Sequence, residues 1–136
     1  MLRGARGGMM PRQRIAIVND DATYMELMKD LLDEEGYRTT IWDRNDNPYY
    51  VIKRERPHLV ILDIRLQSPD EGWKVLEQVR LDPMTTNIPV IVCSADTQFL
   101  RWKRRQLRQM DCEVLEKPFR LEDLLRDVRK MIGVAE

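Results

Sequence analysis

Net charge is the first thing this chain lacks. Its 23 basic and 23 acidic residues cancel, so no global field draws it to nucleic acid or a membrane surface, and a charged partner must be read from a local patch. Cysteine is nearly absent, with two among 136 residues. That excludes a disulfide framework, and the spacing of Cys93 and Cys112 matches no metal motif. Cys93 lies in an apolar run and is expected to pack as a small hydrophobe; this usage fits the reduced cytosol. Long hydrophobic runs are also missing. No uninterrupted apolar stretch exceeds five residues, far short of the ~20 that span a bilayer, and residues 1–8 have no apolar signal-peptide centre. A soluble, cytoplasmic protein that is not secreted by that route is expected. The single histidine, His58, precedes an apolar run and reads as a surface residue, not a phosphodonor.

What is present is alternation. The length suits one domain with a real core and is too short for two ordinary ones. Residues 1–13, rich in Gly and Arg, read as a flexible tail, and Met9-Met10 leaves room for a later translation start. Residues 14–133 read as the domain and 134–136 as a short C-terminal tail. Within the domain, short β-branched runs alternate with amphipathic stretches. Strands are predicted at about 14–18, 37–42, 59–62, 88–93 and 113–116. Between them the pattern predicts a helix over about 22–35, bearing Tyr24, Leu27, Met28, Leu31 and Leu32 on one face and stopped by Gly36. A short helix follows Asn45-Asp46-Asn47-Pro48, and another carries Trp73, Leu76, Val79 and Arg80 until Asp82-Pro83. A fourth covers 97–110, where Trp102, Leu107 and Met110 read as core contacts. The last bears Leu121, Leu124, Leu125, Val128 and Ile132 before Gly133. Nearly all-apolar strands joined by helices predict an α/β fold: a parallel sheet covered on both faces, with right-handed crossovers.

Four polar signals follow four of the strands: Asn19-Asp20-Asp21, Asp63, Ser94-Ala95 and Lys117-Pro118. Open α/β sheets place their chemistry beyond the C-terminal strand ends, so Asp20, Asp63, Ser94 and Lys117 are expected to converge. Two carboxylates make a hard oxygen site suited to Mg²⁺. Asp63 is also a candidate nucleophile that forms an acyl phosphate. Around a transferring phosphoryl group, the metal and the Lys117 ammonium would compensate negative charge and Ser94 would donate a hydrogen bond.

In this order and spacing the residues resemble two-component response-regulator receiver domains of the stand-alone, CheY-like kind, over nearly all of Arg14 to Ile132. Val18-Asn19-Asp20-Asp21 is similar to that family's acidic cluster, and Pro57 through Leu66 to its phosphoacceptor strand. Ile88 through Ala95 resembles the segment ending in its switch hydroxyl, and Lys117-Pro118-Phe119 its lysine, whose following peptide bond is often cis. The resemblance implies a flavodoxin-like (βα)5 three-layer sandwich with sheet order 2-1-3-4-5, the order for which a receiver protein is itself a standing example. It implies phosphorylation of Asp63 by a histidine kinase or phosphotransfer protein in a phosphorelay. It also implies Mg²⁺ held by Asp20, Asp63 and the backbone carbonyl of Arg65, with Asn19 contributing weakly, through water. No enzymatic turnover is implied beyond self-catalysed phosphoryl acceptance and hydrolysis.

Departures from the pattern open a second reading. Asn19 stands where the family has Asp or Glu, which removes a negative charge and should weaken Mg²⁺ binding. Asp21 is expected to cap the first helix instead of replacing it. Gly72 falls one residue late and Gln67 replaces a usual proline, so the loop after Asp63 is expected to be reshaped. Val114 replaces the aromatic residue that usually reports on the switch. Asp63, Ser94 and Lys117 favour phosphorylation; Asn19 and Val114 favour an atypical receiver that binds a partner without it. Arg65, two residues after Asp63, argues against an aspartyl phosphatase, which would want a carboxylate there. The patch Arg101, Lys103, Arg104, Arg105 and Arg108 reads as a solvated helix face or as a docking surface for an acidic partner. Nucleic acid is disfavoured, since it draws on a broader basic footprint. A downstream protein is expected on the 97–132 face, with the chain a monomer or weak dimer.

Overall fold

The computed structural model describes residues 13–66, 68 and 70–135. Its elements are β1 (Arg14–Val18), α1 (Ala22–Glu34), β2 (Arg38–Ile41), α2 (Pro48–Glu55), β3 (Leu59–Asp63), α3 (Glu71–Leu81), β4 (Val90–Ser94), α4 (Thr97–Trp102), α5 (Arg104–Gln109), β5 (Cys112–Glu116) and α6 (Leu121–Ile132). The strands form one parallel sheet in the order β2-β1-β3-β4-β5, the flavodoxin-like arrangement expected.

Successive strand side chains point to opposite faces, which explains why the strands are apolar throughout. In β3, Val60 and Leu62 face a cluster with Val51 and Ile52 of α2, Val75, Leu76 and Val79 of α3, Leu100 of α4 and Leu107 of α5. Leu59 and Ile61 face the other side, against Met25, Met28 and Leu32 of α1 and Leu124 and Val128 of α6. Each fully buried side chain of this size contributes about 1.5–3 kcal/mol. Strand and helix ends follow local chemistry. Asp21 accepts a hydrogen bond from Tyr24 N at 3.1 Å and caps α1 as expected, and Asn47 caps α2 with Pro48 in its first turn. Gly36, at φ 100°, leaves α1 in the left-handed region where glycine carries no Cβ penalty.

The structure corrects four expectations. The helix predicted over 97–110 is two, parted at Lys103, whose ammonium lies 4.6 Å from the Trp73 ring centroid and 4.7 Å from that of Trp102. Trp102 is 75% exposed and not a core residue; it packs edge-on to Phe99, and two residues on from the buried Leu100 it falls on the opposite side of α4. On α1 the core residue is Met25, while Leu27 is exposed. Gln13 is fastened and not part of a free tail: its carbonyl accepts from Arg38 N, and its side chain donates to the Ile132 carbonyl. The rest of the predicted N-terminal tail, and the position of Gln67, lie outside the described residues. His58 is exposed, and Cys93 is 1% exposed as expected, with burial pushing its thiol up to about 12.

Candidate functional site

β1, β3 and β4 end in step. Val18 pairs with Leu62, and Asp63 with Cys93, so Asn19, Asp63 and Ser94 all emerge at one edge of the sheet. Lys117 follows β5 at the same edge, its backbone N–H donating to the Ser94 carbonyl at 2.9 Å, and the Lys117-Pro118 bond is cis. A cleft of about 320 Å³ opens there, lined by Asp63, Arg65, Ser94, Ala95, Asp96 and Lys117. Four of the predicted site residues, Asp63, Arg65, Ser94 and Lys117, are thereby brought together.

Asp63 is 8% exposed and would be costly to bury as an unpaired charge. Lys117 Nζ donates to its Oδ2 at 3.0 Å, and Arg65 N donates to its Oδ1 at 3.0 Å. One carboxylate thus faces an ammonium and a backbone dipole, with room in front. Lys117 is steadied from behind, its ammonium 4.7 Å from the Tyr24 ring centroid. Burial, followed by the charges of Cys93, Asp63 and Asp21, pushes the Tyr24 phenol up to about 12, so Tyr24 meets Lys117 as a neutral ring. Ser94 is buried, and its Oγ accepts from Asp96 N at 3.0 Å. Among the described residues that hydroxyl donates to no protein acceptor, so it retains a donor at the cleft wall.

The acidic cluster is arranged differently from a plain carboxylate pair. Asn19 is 3% exposed and its Oδ1 accepts from Asp21 N at 2.8 Å, which commits it to the loop. Asp20 Oδ1 is buried and makes no directed hydrogen bond; Arg44 Nη2 lies 2.5 Å away as an ion pair and also donates to the Asp20 carbonyl at 2.7 Å. Asp20 meets Arg44 and Asp63 meets Lys117, and carboxylate oxygens are the donors a hard cation takes, one or two from the protein with several waters kept. Asp20, Asp63 and the Arg65 carbonyl are oxygen donors of the type such an ion takes. No group of three or more His, Cys, Asp or Glu side chains gathers as a metal cluster among the described residues.

The family model for the response regulator receiver domain matches residues 15–129. The chain belongs to this family. It is 30% identical over 128 residues to the polar-differentiation response regulator DivK of Brucella anthropi, a match covering 93% of this chain and 100% of the relative. It is 29% identical over 118 residues to the DNA-binding response regulator MtrA of Mycobacterium tuberculosis, covering 87% of this chain but 50% of that relative. Among solved structures, the receiver domain of a Pseudomonas aeruginosa sensor histidine kinase, determined with magnesium coordinated in its active-site cleft, superposes with a TM-score of 0.74 at 25% identity, covering 89% of this chain and 98% of that one. Receiver domains work with histidine kinases or phosphotransfer proteins in two-component signalling.

Three residues of this receiver site, Arg44, Asp96 and Tyr24, and the side chain of Arg65 escaped the sequence pattern. Arg44, from the loop after β2, reaches Asp20. The Arg65 side chain crosses the cleft to Asp96, Nη1 to Oδ2 at 3.2 Å. Asp96 also caps α4, accepting from Phe99 N at 3.0 Å, and the run Asp96-Thr97-Gln98-Phe99 carries that cap signal in plain view. Tyr24 reads from the sequence as part of the apolar face of α1. For Arg44 no sequence signal exists.

Proposed function

We propose that this receiver domain accepts a phosphoryl group on Asp63 from a histidine kinase or phosphotransfer protein within a two-component phosphorelay, in the cytoplasm. The observation that carries the reading is the Asp63–Lys117 pair, 3.0 Å apart, set in a cleft with the Ser94 hydroxyl. In the transfer, an Asp63 carboxylate oxygen forms the new O–P bond while the P–N bond of the donor phosphohistidine breaks. The electron pair leaves on that ring nitrogen, and because the other ring nitrogen of the donor carries a proton, the group departs as neutral imidazole. Lys117 compensates charge on the phosphoryl oxygens, and Ser94 donates a hydrogen bond to one of them. Asp20, Asp63 and the Arg65 carbonyl would hold Mg²⁺, with Asn19 acting weakly through water. When bound, the ion neutralises phosphoryl charge. The chain performs acceptance and hydrolysis on itself and turns over no separate substrate. A downstream protein reads the outcome on the face spanning 97–132.

Asn19 and the Arg44–Asp20 pair favour a second reading, an atypical receiver that engages its partner without phosphorylation. Intact-mass spectrometry after incubation with Mg²⁺ and a small phosphodonor separates the two. The first reading expects a phosphoryl adduct on the wild type and none on Asp63→Asn. An unmodified wild type would select the second.

A further inference from the structure

The loop after β2 is built to aim one side chain. Trp42 is 4% exposed and pins the loop at both ends: its backbone N–H donates to the Ile17 carbonyl at 3.0 Å, and its indole N–H to the Asp46 carbonyl at 2.8 Å. Between those anchors Asp43 closes a tight turn. Its Oδ1 accepts from Asn45 N and its carbonyl from Asp46 N, each at 2.9 Å. Arg44 stands at the tip of this turn, and its Nη2 meets Asp20 twice, at Oδ1 as an ion pair and at the backbone carbonyl. With the backbone already fixed, only side-chain freedom is lost when the guanidinium pairs.

The pair changes the charge of the acidic cluster. Asn19 is neutral, its Oδ1 accepting from Asp21 N, and Asp21 caps α1. Two carboxylates, Asp20 and Asp63, thus stand against two protein cations, Arg44 and Lys117. Together these four groups carry no net charge, so the field that would draw in a divalent ion is largely cancelled. Asp20 Oδ1 is closed to solvent, although the Asp20 side chain as a whole is 35% exposed, and Arg44 is the cation against it. Mg²⁺ demands near-ideal octahedral geometry and keeps several waters, which leaves no room for a guanidinium on the same oxygen, and like charges at contact distance repel.

We infer that Arg44 is a tethered competitor of Mg²⁺: the guanidinium and the ion are alternative partners of the Asp20 carboxylate, and Arg44 turns off Asp20 Oδ1 when the ion is bound. This names a regulation of the proposed site and rests on the reading that Asp20 and Asp63 hold Mg²⁺. Because the 43–46 turn keeps Arg44 beside Asp20, the competitor is present at high effective concentration however dilute the protein. Readiness for phosphoryl acceptance then follows the Mg²⁺ level. At low Mg²⁺ Arg44 neutralises Asp20, and at high Mg²⁺ it yields.

The test labels free guanidinium groups of the full chain with phenylglyoxal and reads Arg44 by peptide mass spectrometry, with Arg101, exposed on α4, as internal reference. Labelling of Arg44 relative to Arg101 should rise about two- to fivefold, the worth of an exposed ion pair, as MgCl₂ replaces KCl at constant ionic strength. Asp20→Asn should label at the higher rate in both salts. Titration calorimetry should find Mg²⁺ bound about two- to fivefold more tightly by Arg44→Ala, with Arg44→Lys, which keeps the charge, closer to wild type. Circular dichroism confirms that each variant is folded. Labelling of Arg44 that stays constant while calorimetry records Mg²⁺ binding, equal affinities in wild type and Arg44→Ala, or no Mg²⁺ binding by any variant would each overturn the inference. Intact-mass measurement with a small phosphodonor runs beside it. Asp63 modified while Arg44 ignores Mg²⁺ sinks the competition alone, whereas Arg44 released by Mg²⁺ in a chain that never modifies sinks the phosphorylation reading alone.

Discussion

Replacing Gly72 with alanine should damage both stability and phosphoryl acceptance. Gly72 is the second residue of α3 and is buried. A Cβ built there would fall 2.5 Å from the Asp63 carbonyl oxygen and closer still to that of Ile64. Both neighbours are backbone, so neither can swing aside. In an open helix the change would gain about 0.5–1 kcal/mol, whereas overpacking costs about 1–3 kcal/mol. A clash with two carbonyls belongs at the upper end, so the net loss is about 2 kcal/mol. For a domain of this size that lowers Tm by about 6–8 °C. The displaced segment carries Asp63, so acceptance should slow by about tenfold even where the variant is fully folded, because small misplacements of a nucleophile are costly. Urea denaturation followed by circular dichroism reads the first effect, and time-resolved intact mass with a small phosphodonor reads the second. A variant as stable as the wild type would refute the close approach. A destabilised variant with undiminished acceptance would refute the idea that Gly72 seats the Asp63 segment.

The acidic cluster gives a paired prediction: Asn19→Asp should raise Mg²⁺ affinity on the order of tenfold by adding ligand charge, and Arg44→Ala by about two- to fivefold, the worth of an exposed ion pair, both read by titration calorimetry. No change in either would remove Asp20 from the donor set. Lys117→Met should slow phosphoryl acceptance about a hundredfold, as loss of one preorganised donor does; an unaffected rate in the intact-mass time course would exclude the ammonium from the transfer. Asp127 is 7% exposed, and burial, reinforced by Glu113, holds its carboxyl above the usual carboxylate range. The folded state therefore binds that proton more tightly than the unfolded state, and stability falls as pH rises through the window above the ordinary Asp value. Asp127→Asn should raise Tm near pH 7 and leave it unchanged near pH 3, and a gain of equal size at both would show that charge is not the cause.

Much of this architecture could be read before folding because its signals are local. Apolar runs set the strands, i, i+3, i+4 spacing set α1, α3 and α6, and caps at Asp21 and Asn47 set helix starts. Where the pattern misled, a contact distant in sequence was the reason. Trp102 is apolar, yet α4 meets the core through Leu100, two residues earlier, which leaves Trp102 on the solvent side against Phe99 and Lys103. Leu27 fits the buried face of α1, but the sheet meets that helix through Met25, Met28 and Leu32.

By itself the sequence determined which residues leave strand ends together: Asp63, Ser94 and Lys117 reach one edge because a parallel sheet with right-handed crossovers carries every such end to the same side. Tertiary structure alone decided what each of them meets there. Arg44 pairs with Asp20 across 24 positions and Arg65 with Asp96 across 31, Gly72 seats against the backbone that carries Asp63, and Val114 opens a groove under three arginines. Periodicity records which side of an element is buried; long side chains and loop backbones find partners only after the layers have packed.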